Sequence, residues 1–321
     1  MGINTDFNQA PYFDDFDEDK NFHRVLFKAG HAVQARELTQ LQTILQHQVE
    51  RFGENILKEG TIVKGGNFVE SVTTGYTKIL DLQTDGQPVV MNNYRNLHAY
   101  GTVSGVSGYV AEIDTGLQSQ SPNLNTLYIK YYDTSTKSGH VGEKEFSEGE
   151  VIELYTDKDL TTLAYSVTAA TGATDINGTP TGNAYITQCS EGVLFQKGYF
   201  VKFDPQLVVV SKYSTAPSDV VVGFKTAEDI INSNNDTTLL DNANGYNNHN
   251  APGADRLKLT PTLTTLTLAE SKADETFFAI HEYSNGRLIK RNEGTQLNSV
   301  SDILAKRTHE ESGNYSLEPI S

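Results

Sequence analysis

Apolar residues recur at steps of three and four between positions 38 and 56, which is the spacing of one helix face. They are Leu38, Leu41, Leu45, Val49, Phe52 and Ile56. Leu38, Leu45 and Phe52 lie seven residues apart, as in a short coiled-coil seam. The pattern predicts a long helix over residues 33–58, with Gly53 weakening its last turns and Gly60 stopping it.

Beyond residue 60 the pattern changes to an alternation of apolar and polar residues, broken by steps such as Gly65-Gly66 and Asp85-Gly86. This alternation predicts strands. The predicted strands cover 61–63, 77–82, 127–131, 151–155, 184–187, 193–203, 207–213, 220–225, 257–268 and 277–283. Asn285-Gly286 is expected to turn a hairpin over 277–290. Short helices are predicted over 226–232 and 301–306, and loops over 117–125 and 168–182.

The chain is therefore predicted to be mainly β with an N-terminal long α-helix. The expected order is an extended arm, the helix, and then antiparallel β-sandwich or barrel domains. The arm covers residues 1–32 and the helix 33–58. A β domain close to the helix combines 59–84 with 216–321, and a second β domain is inserted over 85–215.

The arm mixes aromatic rings with carboxylates, and it has too little apolar surface for a core of its own. Phe13, Phe16, Phe22 and Phe27 are predicted to anchor it on a neighbouring surface, in this chain or in another. The alternative is a solvated tail.

Glutamines, rather than lysines and glutamates, flank the apolar stripe of the helix. Neutral amides cost less to bury than charges when they find partners. The helix is therefore expected to pack on more than one side, against its own copies about a threefold axis, through Leu38, Leu41, Leu45, Val49 and Phe52. An amphipathic helix lying on its own domain is the alternative. Arg36 and Glu37 are candidates for ion pairs that set the register between copies.

Charge and composition narrow the function classes. The net charge is −16, so a phosphate backbone would be repelled and general nucleic-acid binding is not expected. No apolar run is long enough for a membrane span, and the start lacks the features of a signal peptide. A single cysteine, Cys189, rules out an internal disulfide and fits synthesis in a reducing cytoplasm.

Catalytic motifs are absent from the sequence. The eight histidines are scattered, and neither a Gly-x-Ser-x-Gly elbow nor a phosphate-binding loop occurs. The acidic run that begins at Asp15 starts like a calcium loop, but Lys20 and Leu26 occupy the positions that need glycine and glutamate. Cys189 is expected to be a small buried residue. The sequence thus predicts a protein that is not an enzyme and has no cofactor or metal.

Three motifs carry a resemblance to a known family. They are FHRVLFKAG at 22–30 followed by QARELTQLQ at 34–42, NAPGADRLKL at 250–259, and AKRT at 305–308 with ESGNY at 311–315. Together they resemble a family of tail proteins of tailed phages, common in phages of cyanobacteria, whose domain has no known function. Members of that family continue beyond the last motif, so this chain is expected to be the N-terminal part of a longer protein.

The resemblance implies a virion structural protein of the tail or baseplate that anchors or spaces tail fibres. Its partners would be other tail and baseplate proteins and its own copies, as a homotrimer, after synthesis in the host cytoplasm. One alternative is a tail fibre or spike that binds or depolymerises host glycans, with clefts around Tyr128, Tyr131 and Tyr132. Another is a neck or collar fibre protein.

Overall fold

The computed structural model describes residues 3–116, 124–135, 137–138, 144–174, 179–292 and 307–308. Its α-helices are α1 (Ala35–Ile56) and α2 (Leu268–Ala273). Its strands are β1 (Thr61–Gly65), β2 (Phe68–Gln83), β3 (His98–Gly101), β4 (Ser107–Asp114), β5 (Asn125–Tyr131), β6 (Val151–Tyr155), β7 (Leu163–Ala169), β8 (Thr181–Cys189), β9 (Gly192–Gln196), β10 (Tyr199–Phe203), β11 (Gln206–Ser211), β12 (Val220–Ile231), β13 (Arg256–Leu266), β14 (Phe277–Ser284) and β15 (Arg287–Arg291). The prediction of a mainly β protein with antiparallel sheets is confirmed.

The helix α1 begins where its sequence supplies a cap. The backbone N–H of Gln34 donates to the Glu37 carboxylate at 2.8 Å, which satisfies a polar group ahead of the first turn. The helix runs through Gly53 and ends at Ile56, and the N–H of Leu57 closes the last turn on the carbonyl of Gly53. Gly53 therefore does not interrupt the helix.

The largest sheet has eight strands in the order β11-β8-β2-β5-β4-β3-β6-β7. The long strand β2 also pairs with β7, through Ile79 with Ala169 and Gln83 with Val167. This pairing closes β2, β5, β4, β3, β6 and β7 into a ring of six strands. Side chains from every strand of the ring contribute to one buried hydrophobic cluster, with Leu127 and Ile152 fully buried in it.

Two smaller sheets lie beside the ring. One has the order β1-β9-β10 and the other β13-β12-β14-β15. They share a second buried cluster, in which Ile62, Leu194 and Phe224 meet side chains of β8. Cys189, at the end of β8, is buried in this cluster, as predicted. The helix α1 packs on the outer side of the three-stranded sheet.

The helix predicted over 226–232 is wrong, because residues 226–231 form the second half of β12. Glu228 and Asp229 pair with Leu259 and Lys258 of β13 in a continuous antiparallel ladder. Burial alternates along this segment, with Thr226 buried and Ala227 exposed. Pairing with β13 thus overrides the helix propensity of the local sequence.

The single strand predicted over 193–203 is also wrong, since it is a hairpin formed by β9 and β10. Lys197 and Gly198 turn the chain with φ of 52° and 78°. Two successive residues with positive φ are the geometry of the tightest hairpin turn, which usually carries Asn-Gly. The Asn285-Gly286 turn between β14 and β15 has the same geometry and confirms the hairpin predicted there.

Three strands of the ring, β3, β4 and β7, were not predicted. The loop predicted over 168–182 overlaps the end of β7 and the start of β8, and its residues 175–178 lie outside the described part. In the loop predicted over 117–125, Asn125 starts β5 and residues 117–123 lie outside the description. The helix predicted over 301–306 also lies outside the described residues. The same holds for the third motif, apart from Arg307 and Thr308.

Candidate docking surface

The apolar side of α1 faces solvent. Five of the six stripe residues have side chains between 38% and 67% exposed, namely Leu38, Leu45, Val49, Phe52 and Ile56, and Leu41 is partly buried. At about 100° per residue these six positions fall within an arc of roughly 80°. We call this row of six residues the outer stripe. An amphipathic helix on its own domain would turn such a row inward.

The protein instead contacts the polar side of α1. The amide of Gln46 donates to the carbonyl of Gly198 at 2.7 Å, in the β9–β10 turn. At Gly53 the helix backbone lies so close to the ring of Phe195 that a Cβ there would collide with it. The glycine thus lets α1 lie directly on the hairpin, although it costs helix propensity.

The arm binds the back of α1, which is the side away from the outer stripe. Asp14 is buried and accepts a hydrogen bond from the hydroxyl of Thr43. Asp15 accepts one from Arg36 at 3.0 Å. Further along α1, about two turns beyond Thr43, Arg51 forms an ion pair with Glu18.

His47 lies between carboxylates of the arm and of the helix. Its Nε2 is 3.5 Å from Glu18, and its Nδ1 is 3.6 Å from Glu50. The ring of Phe16 packs on the imidazole with 5.3 Å between ring centroids. Of the four predicted aromatic anchors, Phe16 is therefore partly buried within its own chain.

The other three predicted anchors are open to solvent. Phe13, Phe22 and Phe27 are each more than half exposed, and so is Leu26 beside them. Phe22 also lines a narrow crevice between the arm and α1. The structure thus brings Phe16 to the helix and leaves a separate row of apolar side chains on the segment that leads into it.

The start of the arm reaches the four-stranded sheet. The Glu228 carboxylate, on β12, accepts the backbone N–H of Asn4 at 3.0 Å and that of Thr5 at 2.9 Å. It also accepts the hydroxyl of Thr5 at 2.7 Å and forms an ion pair with Lys197 of the β9–β10 turn. The Lys197 and Glu228 side chains are 2% and 8% exposed, so the arm covers a buried charge pair.

These contacts change the titration of two groups. Burial raises the pKa of Glu228, but the hydrogen bonds from Asn4, Lys197 and Thr5 outweigh it and lower the pKa from 4.5 to about 2. The phenol of Tyr12 donates to Asp255 at 2.6 Å, and this bond to a carboxylate raises the pKa of Tyr12. Glu228 is therefore ionised throughout the physiological range.

Arg36 and Glu37, the predicted register pair, both have partners within the chain. Glu37 caps α1, and Arg36 bonds to Asp15 of the arm and to the Gln34 side chain at 2.6 Å. Their role between copies stays a prediction.

Sequence reasoning missed the residues that hold the arm, which are Lys197, Glu228, Asp255 and His47. Glu228 falls within the helix predicted over 226–232, whereas a period-two pattern puts it on the same face as the buried Thr226. Asp255 lies within the NAPGADRLKL motif, which points to a family resemblance and not to a contact with the arm. The sequence signal for the turn at Lys197 is a Lys-Gly step inside an apolar segment.

The tyrosines proposed for a glycan cleft do not form one. Tyr128 is fully buried, and Tyr131 packs against the hydrophobic cluster of the ring. Tyr132 is partly exposed and stacks on His98 with 6.0 Å between ring centroids. The expectation of a shallow, aromatic-lined cleft is therefore wrong for Tyr128 and Tyr131.

Two features are absent from the part of the chain that the structure describes. It contains no helix long and apolar enough to cross a membrane. It also contains no group of three or more His, Cys, Asp or Glu side chains placed to hold a metal ion.

A family model described as a domain of unknown function (DUF4815) matches residues 10–84 and 137–320, which is most of the 321-residue chain. The chain belongs to this family. The matched parts contain α1, β12 and all three motifs quoted above, whereas the break between them contains β3, β4 and β5 of the ring. No curated protein and no solved structure matches the chain.

Proposed function

We propose that this chain is a structural protein of a tailed phage, a tail or baseplate component that anchors or spaces tail fibres. Its work is assembly rather than catalysis, and it needs no cofactor. The outer stripe of α1 carries the proposal, because a row of large apolar side chains on the solvent side of a helix gains free energy when protein covers it.

The occupants of the outer stripe are two further copies of α1, packed about a threefold axis. Leu38, Leu45 and Phe52 have the seven-residue spacing of a coiled-coil seam. The exposed side chains of Gln42 and Gln48 flank the stripe, so copies of this acidic chain meet there without like-charge repulsion. The resemblance to fibre-associated tail proteins favours threefold over twofold symmetry, and closed symmetry is the rule for such assemblies.

The partners outside the trimer are other tail or baseplate proteins. The exposed row of Phe22, Leu26 and Phe27 supports a contact with them, since aromatic side chains dominate the binding energy of interfaces. The neck or collar of the particle is the alternative location, because the same assembly role would serve there.

The test replaces two stripe residues and measures oligomeric state. Burying the exposed half of one such side chain contributes roughly 1 kcal/mol, and a buried aspartate costs more than that. The Leu45→Asp/Phe52→Asp variant should therefore sediment as a monomer under conditions where the native chain is a trimer.

The matched control is Val69→Asp/Val72→Asp, which makes the same chemical change at two apolar side chains of β2 that are 53% and 46% exposed. This control should remain a trimer. A native chain that is monomeric at all concentrations, or a stripe variant that associates as the control does, would overturn the proposal.

A further inference from the structure

The arm contacts two parts of the protein that touch each other over a small area. At one end Asn4, Thr5 and Tyr12 bind Glu228 of β12 and Asp255 just ahead of β13. At the other end, Asp14, Asp15 and Glu18 bind the back of α1.

The direct seat of α1 on the sheets is narrow. Gln46 meets the β9–β10 turn, and Gly53 lies against Phe195. Ile44 is the buried apolar side chain of the helix, and the crevice it lines is formed with Phe16 and Phe22 of the arm rather than with a strand. Because the apolar side of α1 faces outward, burial against the sheets contributes little to holding the helix there.

We infer that residues 3–18 of the arm act as a strap, which fixes α1 on the sheets with its outer stripe facing out and thereby controls whether copies assemble. This inference rests on the proposed function, since it concerns the regulation of the same surface. Residues 3–18 then position the helix, whereas contact with other copies falls to the outer stripe and contact with other tail proteins to the exposed row at Phe22, Leu26 and Phe27.

Charged groups hold the strap at both of its ends. Its carboxylates Asp15 and Glu18 face Arg36 and Arg51 on α1. At the sheet end, Glu228 takes two backbone N–H groups from the arm, which are donors that every extended chain carries. Hydrogen bonds to an ionised group are about twice as strong as neutral ones, so few contacts are enough to hold a segment without a core of its own.

The experiment measures hydrogen exchange of the α1 amides in the full chain. It is done in the Leu45→Asp/Phe52→Asp background, so that assembly does not protect the helix. Asp15→Asn/Glu18→Gln loosens the strap at the helix, and Asp17→Asn/Asp19→Asn is its control within the same acidic run. Glu228→Gln loosens it at the sheet, and Asp229→Asn, the next residue of β12, is the control.

In both strap variants the α1 amides should exchange about tenfold faster than in the controls. This corresponds to a decrease of about 1.4 kcal/mol in the free energy of opening the helix. The amides of β5, in the closed ring, should be unchanged. If the β5 amides also exchange faster in Glu228→Gln, that variant has lost its fold. The comparison of Asp15→Asn/Glu18→Gln with its control then decides whether the strap holds α1. Strap variants that exchange as their controls do would overturn the inference.

A second readout separates this inference from the proposed function. With the native stripe, the strap variants should need about tenfold more protein than their controls to form the trimer. If the native chain forms no trimer, the proposed function fails while the exchange experiment still tests the strap. If the trimer forms and the strap variants match their controls in both measurements, only the strap is wrong.

Discussion

At the scale of single residues, Lys197 and Glu228 join three segments of the chain. The lysine sits in a tight turn at a φ of 52°, and the carboxylate lies on β12 under the start of the arm. Removing one partner of a buried charge pair leaves the other without compensation, which typically costs about 3–5 kcal/mol. The pair therefore stabilises the hairpin, the sheet and the arm together.

The titration of Glu228 gives a pH prediction. Because the folded protein lowers the pKa of Glu228 from 4.5 to about 2, its contribution to stability is complete above pH 4.5 and is lost as the pH falls toward 2. The free energy of unfolding should therefore fall more steeply between pH 4.5 and pH 2 in the native chain than in Glu228→Gln. Parallel pH profiles for the two chains would contradict this account, and Asp229→Asn is the control that should follow the native profile.

At the scale of elements, the sequence indicates where helices and strands lie better than it indicates which way they face. The three-and-four spacing locates α1 closely, because periodicity belongs to the helix itself. Its orientation depends on Gly53, Gln46 and the arm, which are far apart in sequence or have no apolar signal. The apolar stripe by itself allows two orientations, with Leu45 and Phe52 facing other copies or facing the protein's own domain.

The strand errors have a similar cause. Thr226 to Ile231 have mixed local preferences, and their ladder with Arg256 to Pro261 decides the outcome. The contact between the arm and β12 could not be predicted for the same reason, since Glu228 and Asn4 are 224 residues apart in the chain. Contacts over such distances in sequence leave no local pattern. The Asn285-Gly286 turn does leave one, so the sequence predicts its hairpin correctly.

The packing of α1 on the β9–β10 hairpin can be tested at Gly53. Alanine would raise helix propensity by about 1 kcal/mol, but its Cβ would meet the ring of Phe195. Overpacking of this kind typically costs about 1–3 kcal/mol. Gly53→Ala should therefore lower the free energy of unfolding in urea, whereas Gln42→Ala, at an exposed site of the same helix, should change it little. A stabilised Gly53→Ala chain would show that α1 does not lie on Phe195.

At the scale of the whole molecule, the surface is acidic while the outer stripe carries no charge. A net charge of −16 keeps chains apart in general, and the proposed function therefore places the contact between copies at the uncharged stripe. The ring of six strands provides a closed support without free strand edges between its members. The break in the family match coincides with β3, β4 and β5, so half of that ring comes from a segment that the family model does not describe.

The proposal of a tail or baseplate protein is tested most directly by an electron-microscopy map of the tailed-phage particles to which it assigns this chain. The account predicts three copies at the tail or baseplate, with the α1 helices side by side about a threefold axis and Leu38, Leu45 and Phe52 buried between them. A particle without the chain, or a map in which the outer stripe of α1 faces solvent, would contradict it.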